Sequence, residues 1–526
     1  MQHATILLVL LCLLAPMRGR TQQRDLTFET SARFSGAGNC AFCHVADEPI
    51  LTTADGRDVS PVEGWRGTMM AHAAIDPFWR GAVRHESSLL PGTDVERVCS
   101  PCHAPVAHAE SARSGAAVRL SSFDALAREG VTCTVCHQIG ERALGTPASY
   151  SGGYHIGDES LIFGPYPDPV AGPMRNFVEY TPTYAPHVER SELCATCHTL
   201  FTPAVDAAGR TIGSFPEQTP YLEWKQSAAA VAGMECQTCH LPEVAITAPV
   251  SVRPPWLDAR ERVWEHAMVG ANVQVLRMLR ARSAGGDSTL HADPSTFDAL
   301  VTRATENATD AASVDVESVC EGGLLTGTVR IENKTGHKLP TGFPARRAWL
   351  RVTLTDSSGA VLFVSGATDA RGRIAGEDVR VEPHHRTLRS ADDVVIYEAV
   401  ASDVEGVVTR DLLRAVRHAK DTRIPPAGFS RAAMANDSIA VVGIGDDADF
   451  NDDGCGCDLV ALAVDLGAYR GAVRVTAELL YQPLGAPYLA HIRRHVDASD
   501  AEVAQVAMPI VLARAVVQAR PIVQAK

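Results

Sequence analysis

Cys40-Ala41-Phe42-Cys43-His44 is the first of five stretches that decide how this chain is read. The others are Cys99-Ser100-Pro101-Cys102-His103, Cys133-Thr134-Val135-Cys136-His137, Cys194-Ala195-Thr196-Cys197-His198 and Cys236-Gln237-Thr238-Cys239-His240. At the Cys and His content of this chain, chance supplies on the order of 0.01 copies of C-x-x-C-H, so five copies are no accident. The spacing has a chemical reason. Two thiols two residues apart can add to the two vinyl groups of one haem and fix it by thioether bonds. The histidine directly after the second thiol then lies beneath the iron and supplies the proximal nitrogen. The ten motif cysteines are therefore read as attachment points for five covalently bound haem c groups, and His44, His103, His137, His198 and His240 as proximal ligands.

Other chemistries of paired cysteines fit worse. Four-cysteine zinc sites consume such pairs two at a time, whereas five is odd, and zinc demands no histidine after every pair. A redox dithiol expects a strand-to-helix setting that these segments do not resemble. A disulfide framework leaves the five histidines unexplained. The irregular spacing of the motifs also argues against a solenoid of identical repeats.

Working outward, a chain of 526 residues predicts two to four domains. Hydrophobic residues make up 46%, enough for a packed interior, but aromatics only 6%. Haem, itself a large apolar body, is expected to fill part of the space. The net charge of −14 comes without a concentrated basic stripe, so no nucleic-acid partner is expected and the acidity is read as solubility. Residues 1–22 read as a signal peptide. The apolar run from Ala4 to Met17 is shorter than the roughly 20 residues of a membrane span and fits a secretory core segment. No later run is long and apolar enough to span a bilayer. The expectation is an exported protein, periplasmic or extracellular, with no transmembrane anchor after signal removal, whose partners are redox proteins.

Each iron needs a ligand on its other face if it only carries electrons. The candidate distal ligands are His187, just before the fourth motif, His266, read on a probable helix after the fifth, and His337, in a turn leaving a strand. His72, His85, His108 and His155 stand second, by virtue of falling inside the haem region.

Residues 30–250 are expected to form a mainly α, loop-rich pentahaem domain, followed by a helical connector over 251–316 and an antiparallel β-sandwich over 317–526. In the connector, Val263, Ala267, Val269, Val273, Leu276 and Leu279 are spaced as one helical face beginning after Pro254-Pro255, and a polar, alanine-rich segment follows. In the last part, Leu325, Gly327, Val329 and Ile331 alternate with polar residues, as do Ala348, Leu350, Val352 and Leu354 and the run from Val473 to Tyr481. Period-2 runs with turn signals between them predict the sandwich. Asp449-Phe450-Asn451-Asp452-Asp453-Gly454 matches the opening of a calcium loop, with Asp449, Asn451 and Asp453 as ligands, although Val460 stands where the loop's final acid belongs. Cys320, Cys455 and Cys457 are left over, and Cys320 could pair with either of the others.

Five C-x-x-C-H motifs, the phrase Gly130-Val131-Thr132-Cys133-Thr134-Val135-Cys136-His137 and the run from Ser191 to Leu200 resemble bacterial multihaem cytochromes c. These are related to the tetrahaem cytochromes of ammonia oxidisers and to hydroxylamine oxidoreductase. The segment from Asn333 to Arg347 resembles an accessory β-domain appended to some of them. The resemblance implies mostly bis-histidine haems in close stacked pairs, and that His337 reaches back from the β-domain to ligate one. It also has departures, since the tetrahaem relatives have four motifs and the oxidoreductase eight. Electron transfer between redox partners is the leading reading. The alternatives are an oxidoreductase acting on a small nitrogen or sulfur oxyanion at one open-coordinate haem, and a partner-docking protein led by its β-domain. In the alternatives, Arg346-Arg347 beside His337 would bind the anion, or else pair with haem propionates.

Overall fold

C-x-x-C-H is one turn of helix, which places both thiols and the imidazole, at i, i+3 and i+4, on one side of it. The computed structural model, which describes residues 26–206, 208–430, 438–451 and 453–521, shows this at every motif. The motifs end the helices Val95–His103 and Ser191–His198, fill Cys236–His240 and Cys133–Cys136, and overlap the end of Ala37–Ala41. Where the histidine lies just past the helix, its backbone N–H still reaches the first cysteine's carbonyl, at 2.9 Å for His44 and 3.0 Å for His137. The leader and Cys12 lie outside the described residues.

Between the motifs the chain is irregular. Among the described residues its longest helix before residue 240, Pro77–Leu89, starts with proline at the first helical position, and the N-cap Asp76 carboxylate accepts the Phe78 N–H. Strands also occur: Leu161–Gly164 pairs in parallel with Thr181–Tyr184, and Leu200–Val205 pairs antiparallel with Thr211–Gln218. Helix and strand take 29% and 24% of the whole structure, so the chain is mixed, with most of the strand residues after residue 312.

The connector departs from the expected helix. Val263–Trp264 is a short strand on Glu243–Val244, His266 sits in a turn, and the helix is Val273–Ala284. Gly270 and Met268, the latter at φ +41°, break the apolar spacing that had merged turn and helix. The polar, alanine-rich segment of the connector carries the helix Pro294–Asp310. Phe297, Leu300, Ala304 and Ala308 bury one face of it, and the apolar stripe is easily overlooked because half of it is alanine.

The last third carries two sheets. In one, the Arg347–Thr355 strand lies between Ile396–Ser402 and Arg474–Gln482, and Ile510–Gln518 pairs on the far side of the last. In the other, Cys457–Asp465 and Ala312–Glu321 flank Leu324–Asn333, all antiparallel, while the short strands Thr387–Leu388 and Arg520–Pro521 join its edges in parallel. Val329, Ile331, Val460 and Leu462 from one sheet, and Leu350, Val352, Val475 and Leu479 from the other, belong to one buried cluster. The first strand begins at Ala312, ahead of where the alternation becomes visible. Of the three leftover cysteines, Cys455 is disulfide-bonded to Cys457 and Cys320 is free, a choice the sequence left open.

Candidate haem-binding interior

The thiols and imidazoles of four motifs converge on one cavity of about 950 Å³. Cys40, Cys43 and His44, Cys102 and His103, Cys133, Cys136 and His137, and Cys194, Cys197 and His198 all line it, and so does His266. The fifth motif touches it only through Gln237 and its neighbour Leu241, and Cys239 is exposed. Thiols of different motifs lie close enough to perturb one another: Cys40 and Cys133, Cys102 and Cys197, and Cys194 and Cys236. These pairs join the first site to the third and the fourth to the second and fifth, and the two groups meet at the shared cavity, in an order different from that in the chain. Gly130 helps to place the third motif. It has φ +59°, and a Cβ there would stand 2.4 Å from the Met70 carbonyl oxygen, so no other residue fits.

Backbone carbonyls orient three of the five motif imidazoles. The Nδ1–H of His44 donates to Val250 at 2.9 Å, that of His137 to Phe163 at 2.7 Å, and that of His240 to Val269 at 2.7 Å. Each bond fixes the tautomer whose Nε2 carries the free lone pair, the arrangement a metal-ligating histidine requires. Burial lowers the pKa of His44 and His137, and brings that of His103 to about 4. His198, which lines the cavity, is likewise held at about 4 by burial and by the nearby Arg346. These imidazoles are neutral at neutral pH, the form that ligates.

Two of the sequence-predicted distal candidates stand opposite motif histidines. His266 faces His137 with ring centres 6.2 Å apart and planes 25° apart, and His337 faces His240 at 6.4 Å and 17°. Metal–imidazole bonds of about 2 Å on opposite faces of one iron require ring centres about 6 Å apart. Both partners use Nδ1 on backbone carbonyls, those of Trp264 and Lys338, each at 3.0 Å. Among the described residues, no second imidazole is stacked at that spacing across from His44, His103 or His198.

The two partners are held differently. His266 is local to the haem region. Glu265 beside it is buried and clamped by Arg57 and Arg303. His337 comes from the β region on a loop drawn against the helices Pro220–Trp224 and Ala228–Val231. A Cβ at Gly336 would stand 3.2 Å from the Ala229 Cβ and 3.3 Å from the Trp224 ring. Glu223 of the haem region accepts the Lys338 N–H at 3.0 Å and meets Arg423 at 3.1 Å. Lys338, with no exposed side-chain surface, and Arg423 both bind Asp421, each at 2.6 Å. Burial alone would raise the Asp421 pKa, but Arg423 and Lys338 hold it well below the usual carboxylate range.

The other candidates are occupied elsewhere. His187 is buried with Nε2 donating to the Ile139 carbonyl at 2.8 Å. His72 donates from Nδ1 to Thr68 and accepts the His291 N–H at Nε2. His85 contacts Asp411, His108 bonds Ser100, and His155 is exposed. In the acidic loop, Asn451 is buried, receives the Gly456 N–H on Oδ1 and donates from Nδ2 to Phe429. Asp453 accepts the Cys455 N–H, so the loop is held by its own hydrogen bonds and lends no support to calcium.

Of the cavity's charged lining, sequence reasoning singled out only Arg346. Arg253, Arg260 and Arg346 reach it, whereas Arg347 is buried away from it against Glu377 and Gln482. Glu86, Glu217 and Asp76 also line it, and burial pushes their carboxyls up to about 7, about 7 and about 6. They come from separate segments, so no local motif announces them.

No protein-family profile matches the sequence, and no curated protein matches it. The fold is that of a multihaem cytochrome. A solved structure, that of a penta-heme cytochrome c552 from Thermochromatium tepidum, superposes with a TM-score of 0.53 over 92% of this chain and 99% of that one, at 18% sequence identity.

Proposed function

We propose that this chain is an exported pentahaem c-type cytochrome that passes electrons between redox partner proteins. The reading includes the bacterial kinship inferred from the motifs and a β-sandwich that serves the haem region. The observation that carries it is the pair of opposed imidazoles, His137 with His266 and His240 with His337, at the spacing one iron requires. The residues fit haem: a mostly apolar cavity, thiols set one helical turn apart, neutral imidazoles with Nε2 free, and arginines at the wall for propionates. Covalently bound haem c would supply a one-electron iron centre at each motif. The chain fixes the cysteines, aims the proximal nitrogens, fills two sixth positions with histidine and keeps water from them.

A second reading has its own support. Among the described residues no imidazole stands opposite His44, His103 or His198, and protonatable Glu86 and Glu217 line the cavity near Cys99. An open iron beside a proton donor is what reduction of a small oxyanion needs.

Electron paramagnetic resonance of the oxidised protein, made in a host competent in cytochrome maturation and with haem quantified, tests both. Two low-spin centres are expected to disappear one at a time, in His266→Ala and His337→Ala, each giving way to a high-spin signal. If neither variant changes the low-spin signals, the proposed ligation fails. A high-spin signal in the unmodified protein, together with turnover of nitrite, hydroxylamine or sulfite, would favour the second reading.

A further inference from the structure

Behind the cavity wall, three segments far apart in the chain bring metal-ligating side chains to one point. His85 lies on the Pro77–Leu89 helix, Asp411 precedes the turn Leu412–Arg414, and His491 lies on the helix Ala486–Ile492. Asp411 Oδ1 is 3.0 Å from His85 Nε2 and 2.8 Å from His491 Nε2. The three donor atoms all lie within 4.8 Å of one another. The two imidazoles meet edge to face, ring centres 4.4 Å apart.

A carboxylate offers two oxygens and about four lone-pair sites, so two independent N–H donors have no need to crowd onto one oxygen. Here both point the same ring nitrogen at the same atom. The arrangement is also incomplete as a hydrogen-bonded network, because His85 is buried and its Nδ1 has no partner. Two imidazole nitrogens and one carboxylate oxygen converging from rigid elements are the donor set of a divalent transition-metal site with an open position. His495, whose ring is 5.4 Å from that of His85, accepts from Arg494 Nε at Nε2 and so does not complete the set. The Asp411 and His491 side chains are 20% and 31% exposed, which leaves the fourth position to solvent.

We propose that His85, Asp411 and His491 bind one divalent transition-metal ion, with zinc as the expected occupant. The site is separate from the haem cavity, yet it braces the cavity wall. Glu86, next to His85, accepts the Leu412 N–H at 2.6 Å and lines the cavity, as do Leu412 and Tyr488, one turn before His491. Bound metal would tie the haem-region helix to two segments that follow it by hundreds of residues, closing loops whose entropy is otherwise lost only on folding.

The test uses the full haem-loaded protein, stripped with chelator, given about one equivalent of zinc and dialysed, with zinc and haem iron measured separately by mass spectrometry. The expected result is about one zinc per chain, with a zinc K-edge absorption spectrum showing nitrogen and oxygen ligands including imidazole. His491→Ala should weaken zinc binding by about 100-fold or more, with haem content unchanged, while His495→Ala should retain zinc. Should His491→Ala fail to mature, Asp411→Asn, which keeps the shape and an acceptor, is read the same way. Zinc retention by the unmodified protein no greater than that of the variant, or sulfur in the zinc shell, overturns the proposal.

Discussion

The two halves of this molecule solve the problem of an interior in opposite ways. The β region closes two sheets over one continuous core, in which Leu350, Val352, Val329, Val460, Val475 and Leu479 have essentially no exposed surface. The haem region has instead several small clusters, such as Leu26, Ala37, Val62, Trp65 and Ala71, or Phe34, Val106, Leu126 and Val135, arranged around a cavity. Close packing of side chains is worth roughly 25 cal/mol per Å² of apolar area buried, and a void forfeits those contacts. The β region can therefore hold its shape on side chains alone, whereas the haem region depends on the groups its cysteines would carry.

The largest effect should come from withholding haem. In protein made without cytochrome maturation, hydrogen exchange is expected to lose protection across the motif helices from Ala37 to His240. The strands Leu324–Asn333 and Cys457–Asp465 should stay protected. If both halves lose protection together, the contrast is false.

The next effect sharpens the contrast at the seam. Asp421→Asn leaves Lys338 and Arg423 buried with less compensating charge and is expected to cost about 3–5 kcal/mol, measured by chemical denaturation of the β region. The same carboxylate makes that seam sensitive to acid. Its folded pKa lies below its unfolded one, so the stability it supplies is present above about pH 4 and is lost as pH falls towards the folded value.

The smallest effect concerns the cavity. Glu86 and Glu217, raised to about 7 by burial, should lose protons between pH 6 and 8. The negative charge then favours ferric iron, so the midpoint potential of the haem nearest Cys99 should fall as pH rises. The slope should be below about 59 mV per pH unit, the limit for one proton per electron. A potential independent of pH in Glu86→Gln and Glu217→Gln, and pH-dependent in the unmodified chain, would assign it. Equal slopes in all three would remove these acids from the account.

How much of this was legible varied with the range of the interaction responsible. The helical turns at the motifs and the alternating strands from Leu324 and Ala348 onward rest on neighbours within a few residues, and the expectations for them could be drawn residue by residue. The turn at His266 was misread as helix, and the helix Pro294–Asp310 could not be bounded, because alanine and glycine carry little pattern and packing against the rest of the molecule chose their conformation.

By itself the sequence determined the five attachment motifs and their local geometry, because thioether chemistry needs two thiols and an imidazole within one turn and nothing further away. It also offered a set of histidines as candidate sixth ligands. Only the tertiary structure shows which of them stand opposite motif histidines. His187 and His266 are equally plausible by context, yet His187 donates to the Ile139 carbonyl and His266 stands 6.2 Å from His137. His337 reaches His240 because Glu223, Lys338, Asp421 and Arg423 meet in a buried charge network across the two halves. Convergence of residues hundreds of positions apart depends on the packing of whole elements, and no local pattern encodes it.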